Sequence, residues 1–167
     1  RAIEINPNDA LLFTESDKIY ESANAALDAR LKRLERHLKT VMKHDDAVMR
    51  LLSLYNVMGK YDKAIQIMDK RHFHLWEGGG QIHDIYVDSH LLKGLSLLAK
   101  KSYQKAIGEF DLANQYPANL EVAPSHRGGY EVKAYYLTGV AYEGLHEQAK
   151  AKEFFEKAAS AKYPGGL

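Results

Sequence analysis

The sequence has no cysteine among its 167 residues, and it contains four prolines and one tryptophan. Without cysteine, disulfide frameworks, catalytic thiols and zinc fingers are excluded. Its 23 lysines and arginines nearly balance 22 aspartates and glutamates, so no basic field over the whole chain points to nucleic acid. Nothing approaches the ~20 consecutive apolar residues of a membrane span, and no signal peptide is visible. We therefore expect a soluble protein without membrane insertion, with the cytoplasm slightly favoured as its location.

Signals for β-strands are almost absent, whereas helical periodicity is strong. From Leu27 to Val41 an apolar residue recurs every three or four positions, which predicts one apolar stripe along a helix. Cations are frequent on the other faces over residues 30–43, but acids accompany them and no aromatic residues alternate with them. We therefore predict a solvated helix face in this segment and no nucleic-acid partner.

Three segments of the chain align without gaps, residues 48–71, 90–113 and 135–158. Each has a small residue at an equivalent position and a bulky apolar residue four positions later. The small residues are Ala64, Ala106 and Ala151, and the bulky residues are Met68, Phe110 and Phe155. Recurrence in phase is typical of repeat proteins, in which each unit buries its apolar face against the next.

These segments resemble the tetratricopeptide repeat, a helix–turn–helix unit of about 34 residues. The pattern has a physical reason, because two helices approach closely only where residues such as Gly94 are small, while residues such as Phe110 fill the gaps. The resemblance implies an all-α solenoid of antiparallel helix pairs, stacked into an α-α superhelix. It also implies a non-catalytic module that binds a protein or a peptide.

The repeats predict one solenoid domain built from successive units. Residues 1–7 match the end of a preceding, truncated repeat, and because the chain begins with Arg1 we expect a piece of a longer protein. Residues 10–41 form a degenerate helical repeat. Three further repeats are predicted at residues 45–76, at residues 77–117 with a glycine-rich insertion before it, and at residues 131–164.

Equivalent alanines are 42 and 45 residues apart, against about 34 in the regular repeat. The excess lies in two insertions, residues 72–81 and 117–129, which we expect in loops on one face. Helical spacing continues through Ile82, so the first insertion is expected to lengthen the following helix. Its Phe-His-Leu-Trp-Glu-Gly-Gly run resembles the repeat region of a bacterial family of large uncharacterised proteins, where such repeats follow an N-terminal β-sandwich domain. The resemblance implies a carbohydrate-related context whose chemistry belongs to other domains.

The first insertion carries four candidate ligand residues, His72, His74, Trp76 and Glu77. Its two histidines, His83 and a carboxylate could together ligate a metal, but the spacing matches no closed motif. We therefore predict no metal, and histidines that face solvent or cap helices. Trp76 either stacks on a sugar or anchors a partner, or it fills the gap between two spread repeats. A carbohydrate or metal site in this loop is the alternative to protein interaction.

Catalytic motifs are absent from the sequence. The run Gly78–Gly80 lacks the lysine and the hydroxyl of a phosphate loop. His146 and Glu147 begin like a zinc-protease helix, but Lys150 stands where the second histidine is needed. We predict that this chain is not an enzyme and uses no cofactor, and the prediction does not extend to a longer parent protein.

In a tetratricopeptide solenoid the first helix of each unit forms a concave wall, which implies a groove for a partner. Met49 and Ser53 stand where some family members carry the lysine and asparagine that grip a terminal carboxylate, so we do not expect that clamp. The central wall is apolar, which fits an amphipathic helix, an extended apolar segment or a neighbouring domain of the same chain, oriented by Arg50 or Lys133. The alternative is that its leucines belong to the core. The candidate groove residues are Met49, Arg50, Ser53, Asn56, Asp88, Leu91, Leu95, Lys133, Tyr136 and Val140.

Overall fold

The computed structural model describes residues 6, 8–74, 80–122 and 130–161. Within these residues the chain forms nine α-helices and one short 3-10 helix, Ala118–Leu120, with no β-strand. The α-helices are α1 (Ala10–Ser22), α2 (Leu27–Arg36), α3 (Leu38–Val41), α4 (Asp45–Val57), α5 (Tyr61–Lys70), α6 (Gly80–Ala99), α7 (Tyr103–Ala113), α8 (Tyr130–Gly144) and α9 (Gln148–Ser160). The all-α prediction is confirmed, and among the described helices none has the length and apolar character needed to cross a membrane.

Contacts between helices divide the chain into two compact units, Arg1–Ile67 and Met68–Leu167. The boundary between the units falls inside α5. The predicted grouping of all repeats into one solenoid domain stays a prediction, as do the predicted repeat boundaries. The predicted truncated repeat at residues 1–7 lies almost wholly outside the described residues.

In the first unit, α1 and α2 pack against α4 and enclose an apolar core. The side chain of Asp9 accepts a hydrogen bond of 3.0 Å from the backbone N–H of Leu11, which satisfies one of the free donors at the start of α1. The largest fully buried apolar side chains of this unit are Phe13, Leu31, Leu34, Val41, Val48, Leu51 and Leu52.

The apolar stripe from Leu27 to Val41 does not lie on one continuous helix. His37 interrupts it with backbone angles of φ −112° and ψ 29°, and its ring packs against Phe13 at a centroid distance of 5.0 Å. Val41 still reaches the core after this break, whereas Leu27 and Leu38 are 38% and 39% exposed. The predicted stripe is therefore correct for Leu31, Leu34 and Val41, which are buried, and wrong for Leu27 and Leu38.

Each of four helix pairs turns through one residue with a positive φ. These residues are Asn24 (52°), Gly59 (71°), Lys101 (56°) and His146 (61°). In every turn the N–H of the next residue donates to the carbonyl oxygen five positions before it, at 2.8 to 3.0 Å. The turn between α1 and α2 thus has the same backbone geometry as the turns between α4 and α5, α6 and α7, and α8 and α9.

In the second unit, α6, α7, α8 and α9 each pack against the next helix along the chain. A β-carbon placed on Gly139 would come within 2.5 Å of the Phe155 ring, so the two helices α8 and α9 cross at this glycine. Gly144, the last residue of α8, lies against the ring of Tyr103, the first residue of α7, so these neighbours run antiparallel. Small residues therefore mark the close approaches, as the repeat pattern predicts.

The glycine-rich insertion is followed by the longest described helix, α6, with 20 residues. Ile82, Tyr86 and Ser89 are all buried along it, which places one face of the extension in the core. The predicted lengthening of this helix is confirmed.

Candidate functional site

Helices α6 and α8 line a pocket of about 400 Å³ in the second unit. Four leucines and one tyrosine form most of its wall, and one aspartate and one lysine complete it. The lining residues are Asp88, Leu91, Leu92, Leu95, Lys133, Tyr136 and Leu137. These residues lie on α6 and α8, two of the helices that carry groove candidates from the sequence.

The pocket has a buried floor and an exposed rim. Leu91 is only 6% exposed, whereas Leu95 and Tyr136 are 42% and 56% exposed. The ring of Tyr136 packs against Phe155 of α9 at a centroid distance of 5.6 Å, which supports it from behind. Large apolar side chains that stay exposed around a concavity are typical of interaction sites.

Two opposite charges accompany the apolar wall, Asp88 on α6 and Lys133 on α8. Although the Asp88 side chain is exposed, the desolvating pocket wall raises the pKa of its carboxyl; Lys133 acts to lower this pKa, and Asp84 raises it further. A charged group of either sign on a bound segment can therefore pair with Asp88 or with Lys133.

Five of the lining residues were candidates from the sequence, Asp88, Leu91, Leu95, Lys133 and Tyr136. The repeat register missed two others, Leu92 and Leu137, each of which directly follows a predicted lining residue. The repeat pattern marks one row of positions on each helix, and a pocket is wider than one row. The apolar residue directly after each predicted position was the sequence signal that could have identified Leu92 and Leu137. Val140, also predicted, is half-buried on α8 and does not line the pocket.

The remaining groove candidates, Met49, Arg50, Ser53 and Asn56, lie on α4 in the first unit. Ser53 is exposed and Met49 is half-buried, whereas Asn56 is only 6% exposed. Asn56 is thus placed as a core residue of its unit. The proposed role of Met49 and Ser53 in partner binding stays a prediction.

Arg50 is held by carboxylates of its own chain. Its Nε donates to Asp17 Oδ2 at 2.8 Å, and its Nη2 donates to Glu21 Oε2 at 2.7 Å. Asp17 is fully buried and also accepts two hydrogen bonds from Arg30, at 3.0 and 2.8 Å. Burial by itself would raise the pKa of Asp17, but the bonds from Arg30 and Arg50 outweigh it and lower that pKa. This pairing gives Arg50 a structural role that the repeat register does not reveal.

The loop candidates His72 and His74 are both exposed, and Phe73 between them is buried. His72 Nε2 lies 2.5 Å from Glu121 Oε1, and His74 Nδ1 lies 3.9 Å from the same oxygen. Glu121 was missed, because 49 residues separate it from His72 and no local pattern joins them. The other two loop candidates, Trp76 and Glu77, lie outside the described residues, so their convergence with the histidines stays a prediction.

His83, the third histidine of the predicted ligand set, lies elsewhere. It is buried, its ring stacks on Tyr116 at a centroid distance of 4.1 Å, and its Nε2 lies 3.1 Å from the carbonyl oxygen of Gln115. These contacts give His83 a packing role between α6 and the segment after α7. In the described part of the chain, the group with metal-ligand spacing is His72, His74 and Glu121.

Comparison with known protein families finds a match to the tetratricopeptide repeat at residues 132–163. This segment covers α8, which lines the pocket, and α9, which packs behind it. The sequence-based assignment to this repeat class is therefore supported for the segment that contains α8 and α9. The narrower resemblance, to multidomain proteins with a β-sandwich domain, stays a prediction.

Among solved structures, the chain is similar to the crystal structure of MamA, with a TM-score of 0.59. The sequences are 18% identical, and the match covers 95% of this chain and 81% of that chain. At this identity the likeness shows a shared fold and carries no information about ligands. Together with the all-α architecture, it assigns the chain a helical-repeat fold of the tetratricopeptide type.

Proposed function

We propose that this chain is a non-catalytic interaction module that binds an amphipathic helix of a protein partner in the pocket between α6 and α8. The observation that carries the proposal is an apolar pocket with exposed Leu95 and Tyr136 at its rim and opposite charges beside them. Tetratricopeptide-type folds bind partners on surfaces formed by successive repeats, which supports the same interpretation.

The apolar rim supplies the affinity in this proposal. Leu95 is 42% exposed, so covering the rest of its side chain contributes roughly 1 kcal/mol as apolar surface leaves water. Tyr136 is an anchor with little conformational entropy to lose, since its ring already packs against Phe155. A helix fits better than an extended strand, because the described residues around the pocket offer no sheet edge for strand addition.

The charges supply orientation. A partner helix that presents an acidic residue to Lys133 and a basic residue to Asp88 binds in one direction only, since the reverse places like charges together. The expected partner sequence therefore has apolar residues at helical spacing, with both an acidic and a basic residue beside them.

A displayed library of random peptides, selected on the whole chain, tests this proposal. The account predicts amphipathic helical peptides whose affinity falls at least about tenfold in Leu95→Asp, because the change removes an apolar contact and places a carboxylate against the apolar face of the peptide. Val57→Asp is the matched control, because Val57 is 65% exposed on α4, away from the pocket residues in the chain. Peptides that bind both variants equally well, or peptides without apolar spacing, would contradict the proposal.

A charge exchange tests the predicted orientation. Lys133→Glu should weaken a selected peptide that carries an acidic residue at one end. The same peptide with that residue changed to lysine should regain affinity for Lys133→Glu and lose it for the natural chain. Equal binding of both peptides to both proteins would show that Lys133 does not orient the partner.

A further inference from the structure

Two segments distant in sequence are tied together in the second unit, residues 71–74 after α5 and residues 118–121 after α7. The N–H of Phe73 donates to the carbonyl oxygen of Asn119 at 2.8 Å. The Asn119 side-chain Nδ2 donates in turn to the carbonyl oxygens of Met68 and Arg71, at 2.7 and 2.8 Å. Three hydrogen bonds thus fix the two backbones relative to each other.

Buried anchors reinforce this arrangement. Phe73 is 2% exposed and Leu120 is 1% exposed, so each segment has one side chain in the core. In an extended segment the neighbours of an inward side chain point outward, which places His72 and His74 on the surface together. Glu121 follows Leu120 with a φ of 52°, and its carboxylate reaches the same surface patch.

Three donor atoms meet at this patch, one nitrogen from each histidine and one carboxylate oxygen, and they all lie within 4.8 Å of one another. Zinc binds histidine nitrogen and carboxylate oxygen at about 2.0–2.2 Å, so tetrahedral donors stand about 3.3 Å apart. His72 Nε2 is 2.5 Å from Glu121 Oε1, and His74 Nδ1 is 3.9 Å from it, so these spacings bracket the required value. Small rotations of exposed side chains on a fixed backbone suffice to reach it.

We propose that His72, His74 and Glu121 bind a divalent transition-metal ion, with Zn²⁺ the ion that the donor set fits best. Two imidazoles and one carboxylate are borderline ligands that suit zinc better than the all-oxygen sites of magnesium and calcium. Three protein ligands leave one position open for water or for a donor from a partner. This site is independent of the pocket between α6 and α8.

The competing explanation is a hydrogen bond between His72 and Glu121 that has no further role. An exposed pair of this kind contributes little to the stability of a protein. The distinguishing property is the third donor, His74, whose nitrogen a hydrogen bond between His72 and Glu121 does not require but which completes a three-ligand set. A variant at His74 therefore separates the two explanations.

Isothermal titration of the whole tag-free chain, stripped with a chelator, tests the site with ZnCl₂ as the probe. We expect one ion per chain with a dissociation constant in the micromolar range, and no binding of Mg²⁺ under the same conditions. His74→Ala and Glu121→Gln should each weaken zinc binding at least about tenfold. Even the loss of a residue that only supports a metal ligand can reduce affinity by this much.

The control variant is His146→Asn. His146 is exposed, and asparagine tolerates its positive φ of 61°, so this change removes a surface histidine without altering the proposed site. Circular dichroism confirms folding, and if one ligand variant fails to fold the other decides. Absence of saturable zinc binding, or zinc binding that is unchanged in the folded ligand variants, would overturn the proposal, as would an equal loss in His146→Asn.

Discussion

Gly94 on α6 lies against the ring of Phe110 on α7 so closely that a β-carbon on the glycine would overlap three ring atoms. Phe110 is completely buried, so its ring is enclosed by other residues of the protein. The contact fixes the crossing of the two helices, and α6 carries one wall of the proposed binding pocket. The pocket therefore depends on a contact between a small and a large residue behind it.

Gly94→Ala should destabilise the protein by about 1–3 kcal/mol, because one added methyl group overpacks a full core. The matched control is Gly108→Ala, since a β-carbon at Gly108 meets nothing within 4 Å. That exposed helical change should be stabilising by about 0.5–1 kcal/mol, because alanine loses less backbone entropy in a helix. Urea unfolding followed by circular dichroism measures both, and equal effects of the same sign would contradict the packing account.

The repeated turn gives a second prediction. Lys101 has a φ of 56°, a conformation that costs a residue with a β-carbon about 1–2 kcal/mol. Lys101→Gly should therefore raise the thermal midpoint, whereas Lys100→Gly, one residue earlier, should lower it or leave it unchanged. A lower midpoint for Lys101→Gly than for Lys100→Gly would show that the left-handed turn is not where the structure places it.

Stability should depend on pH through His90. This histidine is 3% exposed, its ring packs against Tyr86, and its Nδ1 lies 2.7 Å from Glu109 Oε2. Burial lowers the pKa of His90 below its ordinary value of 6.5, although Glu109 acts against this; Lys93 lowers the pKa and Asp69 raises it. As the pH falls through 6.5, the unfolded chain takes up a proton on this histidine before the folded protein does, so the free energy of unfolding decreases.

His90→Gln should flatten this decrease between neutral and mildly acidic pH, because glutamine keeps a hydrogen-bond donor but does not titrate. Gly108→Ala, an exposed change that removes no titratable group, is the control and should keep the natural slope. Urea midpoints measured over that pH range provide the test. The same slope in His90→Gln as in the unchanged protein would remove His90 as the cause.

Variants of Asp17 and Arg50 test whether Arg50 stabilises the first unit or binds a partner, because the two side chains form a hydrogen bond. Asp17→Asn should destabilise by about 3–5 kcal/mol, because it removes the buried charge that pairs with Arg30 and Arg50. Arg50→Ala should also lower stability but should leave binding of a selected peptide unchanged, since Arg50 is already paired with Asp17 and Glu21. Lys18→Ala, which breaks an exposed pair with Glu15, should have little effect. Loss of peptide binding in a folded Arg50→Ala variant would restore its predicted role as an orienting residue.

The sequence was sufficient for the parts of the molecule that repeat. Helix pairs follow from apolar spacing, and most of the pocket follows from the repeat register, because both are local patterns carried along one helix. The pairing of Arg50 with Asp17 and the approach of Glu121 to His72 join residues 33 and 49 positions apart. No periodic pattern encodes such pairs, since they depend on how separate helices and loops meet in space.

The most direct test of the interaction proposal is methyl NMR of the leucines during titration with a peptide selected on the chain. The account predicts that the methyl signals of Leu91, Leu92, Leu95 and Leu137 shift together and saturate, whereas those of Leu31 and Leu34 in the core of the first unit stay unchanged. Saturable binding with unchanged signals at all four pocket leucines would contradict it.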